Sequence, residues 1–169
     1  ITSSDRELVK GRIIQIAGSN LTTDSLAIHD REDLLTFSAA ETSARYAYDQ
    51  AGIDANDIDV AEIYDRFGVY TAMSLEACGF ASRGSGWEMA QNGSVGLQGS
   101  LPISTFGGLK ARGNPGGATG VYQIVEIAQQ LAGTAKENQV SDAKWALAQC
   151  LGSSGATAVT HILHMIDSR

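Results

Sequence analysis

The sequence has little cysteine, proline or charge and no long apolar run, and each shortage excludes something. Two cysteines in 169 residues cannot form a disulfide scaffold and point to a reducing, cytoplasmic setting. Twelve Lys and Arg against nineteen Asp and Glu leave a net charge of −7, without the basic stripe that nucleic-acid binding needs. No apolar run approaches the roughly 20 residues of a membrane-spanning helix. The opening residues Ile1-Thr2-Ser3-Ser4-Asp5 carry neither Met nor a signal-peptide pattern. Neither nucleic acid nor membrane is therefore expected as a partner, and the chain reads as part of a longer protein. Charged residues make up 18%, where about 25% is usual. A chain so poor in charge cannot coat its whole surface with Lys and Glu, so part of it should face a partner or a further domain.

Several catalytic signatures are missing too. There is no P-loop, no dinucleotide fingerprint after a strand, no G-x-S-x-G and no C-x-x-C. His161 and His164 are three apart on an expected strand, so they point to opposite faces and no metal is expected between them. Asn20-Leu21-Thr22 and Asn92-Gly93-Ser94 fit the glycosylation pattern but read as chance matches.

What is present is glycine, 19 of 169 residues, above the usual ~7%. Residues 12–17 form a β-branched run closed by Gly18, an expected strand. Residues 20–33 are polar and irregular. Across residues 34–51, Phe37, Ala40, Ala44, Ala47, Tyr48 and Ala51 recur at helical spacing, and Gly52 ends the helix. Residues 58–63 read as a second strand and 67–78 as a second helix, ending at Gly79. Residues 81–100 are glycine-dotted and read as a surface excursion. In the helix expected over 121–131, Val121, Ile124, Val125, Ala128 and Leu131 form one apolar stripe. Ile127 and Ala132 lie off it, so the helix should be buried on more than one side, between two layers, one of which this chain need not supply. Residues 144–150 and 156–166 read as two antiparallel strands joined by a short turn. The order implies an α/β fold, a mixed sheet covered by helices.

Three segments carry candidate chemistry. Glu62-Ile63-Tyr64-Asp65-Arg66-Phe67 leaves a strand and enters a helix, where α/β folds place reactive groups. The ordinary alternative is that Tyr64 is a strand-end aromatic and Asp65 caps the helix. Gly107-Gly108-Leu109-Lys110-Ala111-Arg112-Gly113-Asn114-Pro115-Gly116-Gly117-Ala118-Thr119-Gly120 holds six glycines before a helix. It serves either tight packing or an anion held at open helix amides, with Asn114 as a donor beside it. Cys150-Leu151-Gly152-Ser153-Ser154-Gly155 ends a strand on a cysteine at a turn, where the thiol is either exposed beside free amides or an inert strand-end cysteine. Cys78, by contrast, reads as a small core residue.

Together, in this order, the three segments resemble the C-terminal half of the thiolase superfamily, over residues 12–166. The nearest branch is the acetyl-CoA acetyltransferase group that includes the sterol-carrier-protein thiolases. There the motifs read His-Asp-x-Phe, then Gly-Gly-x-Lys-x-x-Gly-His-Pro-x-Gly-Ala-Thr-Gly, then a Gly-rich turn opening with Cys. The resemblance implies that residues 1–169 form the thiolase-like C-terminal domain, half of a five-layered αβαβα fold, with the nucleophilic cysteine in an N-terminal half outside this chain. It implies that Cys150 is the second catalytic cysteine, a base and acid at the α-carbon, and that Gly152 gives a backbone N–H to an acyl oxyanion. A modest downward shift would poise the thiol near neutrality. Asn114 stands where the family has the histidine of Gly-His-Pro, and Tyr64 where it has that of His-Asp-x-Phe. Asn can donate to an oxyanion but cannot carry a proton.

The resemblance implies an acyl-CoA C-acyltransferase first, acting on CoA thioesters without a covalently held cofactor, as a homodimer or homotetramer. A retro-aldol lyase acting on a β-hydroxyacyl-CoA is the second reading, motivated by Tyr64, in complex with a small OB-fold, zinc-ribbon protein. The third is a non-catalytic subunit that binds acyl-CoA. Lys110 and Arg112 flank the glycine loop and are basic candidates for CoA phosphates, or else solvated surface.

Overall fold

A computed structural model of the chain describes residues 13–152 and 154–166. Four strands form one mixed sheet in the order β1-β4-β3-β2: β1 (Ile13–Thr23), β2 (Val60–Glu62), β3 (Trp145–Gly152) and β4 (Thr157–Ile166). β4 runs antiparallel to β1 and β3, while β2 pairs parallel with β3. Helix α1 (Ser38–Ala51) packs on one face, with α2 (Gly68–Ala77) beside it. Helix α5 (Thr119–Ala132) covers the other face, and the short α3 (Glu88–Gln91) and α4 (Gly108–Arg112) lie in the connections.

Strand alternation divides the core between these helices. Leu147 of β3 and Ile162 of β4 join Ala44, Ala47 and Tyr48 of α1, while Ala146, Ala148 and Leu163 join Ile127 and Leu131 of α5. The mixed sheet and its helical cover are those expected, as is the end of α1 at Gly52, which takes φ 72°. Helix α1 starts at Ser38 and not at 34, because Asp33 holds the preceding residues in a turn by accepting the Leu35 N–H at 2.9 Å.

Three expectations need correction. Gly18 does not close the first strand: β1 continues to Thr23, with a bulge between Ile16 and Gly18. The glycine is there because α1 crosses it closely, and a Cβ would lie 2.1 Å from the Ala47 carbonyl oxygen. Arg12, the expected first residue of that strand, lies outside the described residues. β2 is only three residues long. Its outer edge is covered by chain returning from the glycine-dotted excursion, where the Ala61 N–H donates to Pro102 O at 3.0 Å and the Ser104 N–H to Ala61 O at 2.9 Å.

The third correction concerns α5. Its buried residues are Thr119, Gln123, Glu126, Ile127, Gln130 and Leu131, so Ile127 is at the centre of the packed face. Val121 and Val125, from the expected stripe, are 66% and 49% exposed, and Tyr122 is 48% exposed. The polar residues turn inward because they have partners there. Gln123 donates to Gln149 O at 2.9 Å, next to the point where β2 stops pairing with β3. Gln130 donates to Thr105 Oγ1 at 2.7 Å and to Asn138 O at 2.6 Å. The helix thus packs one side on the sheet and leaves an apolar side open.

Candidate functional site

The C-terminal ends of β2 and β3 meet the start of α5, and the expected site residues gather there. In β3 the alternation that turns Ala146 and Ala148 toward α5 does the same for Cys150. Its Sγ lies 3.8 Å from where a Cβ on Gly120 would stand. The backbone N–H groups of Gly120 and Leu151 lie close enough to the sulfur to favour its charged form. Gly120 is the second residue of α5, so its N–H is one of the first-turn amides without a partner inside the helix, at the positive end of the helix dipole. The sulfur therefore sits where negative charge is favoured. Burial nevertheless pushes the thiol above its ordinary value, with the two amides pulling the other way. Desolvation outweighs the amides, which works against the downward shift that would poise the thiol near neutrality. At neutral pH the group is a thiol, ready to give a proton.

The glycine loop is built from the end of β2. Asp65 accepts the Leu109 N–H at 2.9 Å, one of the free amides at the start of α4. It does not cap α2, whose N-cap residue is Phe67, without a side-chain hydrogen bond. Gly108 lies against the same carboxylate at φ 57°, and a Cβ there would be 2.1 Å from Asp65 Oδ2. The motifs around Tyr64 and Gly108 thus belong to one contact.

Asn114 is exposed. Its Oδ1 accepts the Gly116 N–H at 3.0 Å and lies 3.5 Å from Thr119 Oγ1, whose hydroxyl donates to Gly116 O at 2.9 Å. With Oδ1 turned to the backbone, the amide Nδ2 is the end that can meet a ligand, as a donor only. Thr119 is next to Gly120 in sequence, so Asn114 and Cys150 share the first turn of α5. Tyr64 is 6% exposed and packs with Phe37, Leu109 and Leu151 in a cluster that Cys150 borders. Gly152 is exposed at the end of β3 opposite Thr157, and its carbonyl accepts the Gly155 N–H at 3.1 Å. Ser153 lies outside the described residues.

Two further residues hold this site together. Arg31 Nη1 donates to Ser154 O at 2.8 Å while its Nε donates to Ser25 O at 3.0 Å, strapping the turn after β3 to the segment before α1. Its only signal in the sequence is an arginine within an irregular stretch. Arg112 is engaged within the fold: its Nη1 lies 2.8 and 3.0 Å from the two Glu126 oxygens, in a largely buried pair. Lys110 is exposed. His164 stacks on Trp145 at 3.9 Å, and burial lowers the pKa of half-buried His161. Cys78 is buried at the end of α2. Among the described residues no three His, Cys, Asp or Glu are grouped to hold a metal, and no helix is long and apolar enough to cross a membrane.

Comparison with known proteins matches residues 21–165 to the family described as thiolase C-terminal domain-like. The acetyl-CoA acetyltransferase of Methanothermobacter thermautotrophicus is 35% identical over 149 residues, which are 88% of this chain and 39% of that protein. Human sterol carrier protein 2 is 33% identical over 155 residues, 90% of this chain and 28% of that protein. The chain thus spans two-fifths or less of the length of these relatives. Among solved structures, the Ltp2–ChsH2(DUF35) aldolase superposes with a TM-score of 0.74 at 23% identity, covering 88% of this chain and 38% of that one. A monomeric SCP2-thiolase like protein of Mycobacterium smegmatis gives 0.65 at 19% identity, covering 89% of this chain and 28% of that one.

Proposed function

The chain belongs to the thiolase C-terminal domain-like family, and from that premise we propose that it forms the proton-transfer half of an acyl-CoA C-acyltransferase site. The observation that carries this reading is the Cys150 thiol set against Gly120 at the first turn of α5. In the condensing direction, an acyl group rides on a cysteine of an N-terminal half. Cys150 as thiolate takes a proton from the α-carbon of a second CoA thioester, and the electron pair released attacks the acyl carbonyl carbon, expelling the nucleophilic cysteine. In the cleaving direction, the Cys150 thiol returns that proton to the departing α-carbon. Asn114 Nδ2 donates to the enolate oxygen, and the Gly152 N–H to the acyl oxyanion. No covalently held cofactor is needed, and the substrate is a CoA thioester. A homodimer or homotetramer is the assembly proposed.

The test is cleavage of a β-ketoacyl-CoA by the full-length protein with free CoA as acceptor. Cys150→Ala is expected to lower the rate by about 10²–10⁴. Full activity in that variant would remove Cys150 from the mechanism.

Tyr64, in place of a histidine, and the structural likeness to an aldolase favour one second reading, a retro-aldol lyase acting on a β-hydroxyacyl-CoA. That reaction leaves a carbonyl product and consumes no free CoA, and a small OB-fold, zinc-ribbon protein would be its partner. A strict requirement for CoA in cleavage counts against it.

A further inference from the structure

Behind the loop that carries Asn114, β2, α4 and α5 meet at a charge cluster that the proposed chemistry does not use. Glu62 ends β2 and is 2% exposed, and Glu126 in α5 is 8% exposed. Arg112, the last residue of α4, holds both Glu126 oxygens through Nη1, and its guanidinium lies 5.4 Å from the centre of the Tyr122 ring. The Glu62 carboxyl faces Glu126 with its Oε2 buried and without a hydrogen-bond partner of its own, and Asp65 adds a further negative charge nearby. β3 presents only Ala148 opposite Glu62.

Two carboxyl groups facing each other in a buried site cannot both be ionised at little cost, and one guanidinium balances only one of them. The neutral arrangement is therefore a carboxylic acid at Glu62, a carboxylate at Glu126 and a guanidinium at Arg112. Burial, and after it the facing Glu126 carboxylate, push the Glu62 carboxyl up to about 9, against the pull of Arg112.

The cluster also closes a ring in the chain. Arg112 precedes Gly113 and Asn114, Glu126 follows Thr119 by two turns of α5, and residues 113–118 include three glycines. Glycines have no side chains to pack, so this stretch is fixed from its ends and by the short bonds around Asn114 and Thr119. We propose that Glu62 is a positioning residue: as a neutral acid it donates to Glu126, keeps that carboxylate aligned on Arg112, and so fixes the glycine loop that presents Asn114. The inference rests on the proposed function only in taking that loop as part of the site.

The test follows the Cα–Hα nuclear magnetic resonances of Gly113, Gly116 and Gly117 in the full chain from about pH 7 to about pH 10, without any assay of activity. In the wild-type chain these signals are expected to move together with a midpoint near 9. Glu62→Gln keeps a donor toward Glu126 and cannot ionise, so its signals should hold their neutral-pH positions throughout. Glu62→Leu, which loses the donor, should show displaced signals already at neutral pH. If that variant fails to fold, the wild-type and Glu62→Gln pair still decides. Wild-type signals that stay flat, or Glu62→Gln signals that move as wild type does, would overturn the proposal. A protein without turnover whose wild-type signals titrate and whose Glu62→Gln signals do not would sink the acyltransferase reading and leave this inference standing.

Discussion

Gly108 has two constraints at once, a left-handed φ of 57° and a Cβ position 2.1 Å from the Asp65 carboxylate. Either alone costs on the order of 1–3 kcal/mol. Gly108→Ala should therefore lower unfolding stability by about 2 kcal/mol or more, measured by urea titration, and the loss should shrink when Asp65→Ala is combined with it. An additive double mutant would show that the two residues do not meet. This contact also marks what a sequence can tell at the residue scale. Cys150, Asn114 and Tyr64 stand out because of their motifs; Tyr64 lies in the cluster that Cys150 borders, and Asn114 at the loop before α5. The partner of Asp65 is 44 residues away and that of Arg31 is 123 residues away. Local patterns carry no signal for such pairs, so Asp65 read as the cap of the next helix and Arg31 as part of an irregular stretch. The direction of the thiol shift is hidden in the sequence for a related reason: the amides around Cys150 are local, but the burial that outweighs them comes from the whole fold.

Helix α5 shows the same limit at the scale of an element. Its body is legible, expected over 121–131 and found over Thr119–Ala132, and Gly133 at φ 72° closes it. Which side it buries is not, because periodicity scores apolarity and cannot see that the sheet offers a bare carbonyl at Gln149. Once β2 has ended, that oxygen needs a donor, and Gln123 supplies it. Removing the amide by Gln123→Ala should leave a buried acceptor unpaired and cost about 1–3 kcal/mol. Gln123→Glu, similar in shape but without the donor when ionised, should cost at least as much at neutral pH. Thermal unfolding of the two variants checks this, and an unchanged midpoint in both would mean that the bond contributes nothing. The same logic explains β1, where the sequence suggests an end at Gly18 and the structure uses that glycine to let α1 pass.

At the scale of the whole molecule, the low charge content and the open side of α5 agree. Val121, Tyr122 and Val125 form an apolar side that nothing in the described residues covers. The chain spans two-fifths or less of the length of its acetyltransferase and sterol-carrier-protein relatives. Global stability should carry the imprint of Glu62. Its carboxyl is raised when folded, from 4.5 to about 9, so the unfolded chain releases that proton first. The stability it contributes is complete below about 4.5 and is lost as pH rises toward 9, at a slope of at most about 1.4 kcal/mol per pH unit. His161, lowered by burial, acts in the opposite sense, its contribution falling away as pH drops below its ordinary range. Denaturant midpoints across this range should decline toward alkaline pH in the wild-type chain and flatten in Glu62→Gln. A parallel decline in both would assign the slope to other groups.

The central claim is that Cys150 moves the proton at the α-carbon of a CoA thioester, and proton exchange reports that step directly. The full-length protein is incubated with acetyl-CoA in heavy water, and deuterium entering the acetyl methyl group is followed by nuclear magnetic resonance. The account predicts enzyme-dependent exchange that speeds up as pH rises toward the elevated Cys150 range, since the thiolate is the base, and that falls by about 10² or more in Cys150→Ala. Exchange at the wild-type rate in Cys150→Ala, or none at all in the wild-type protein, would contradict it.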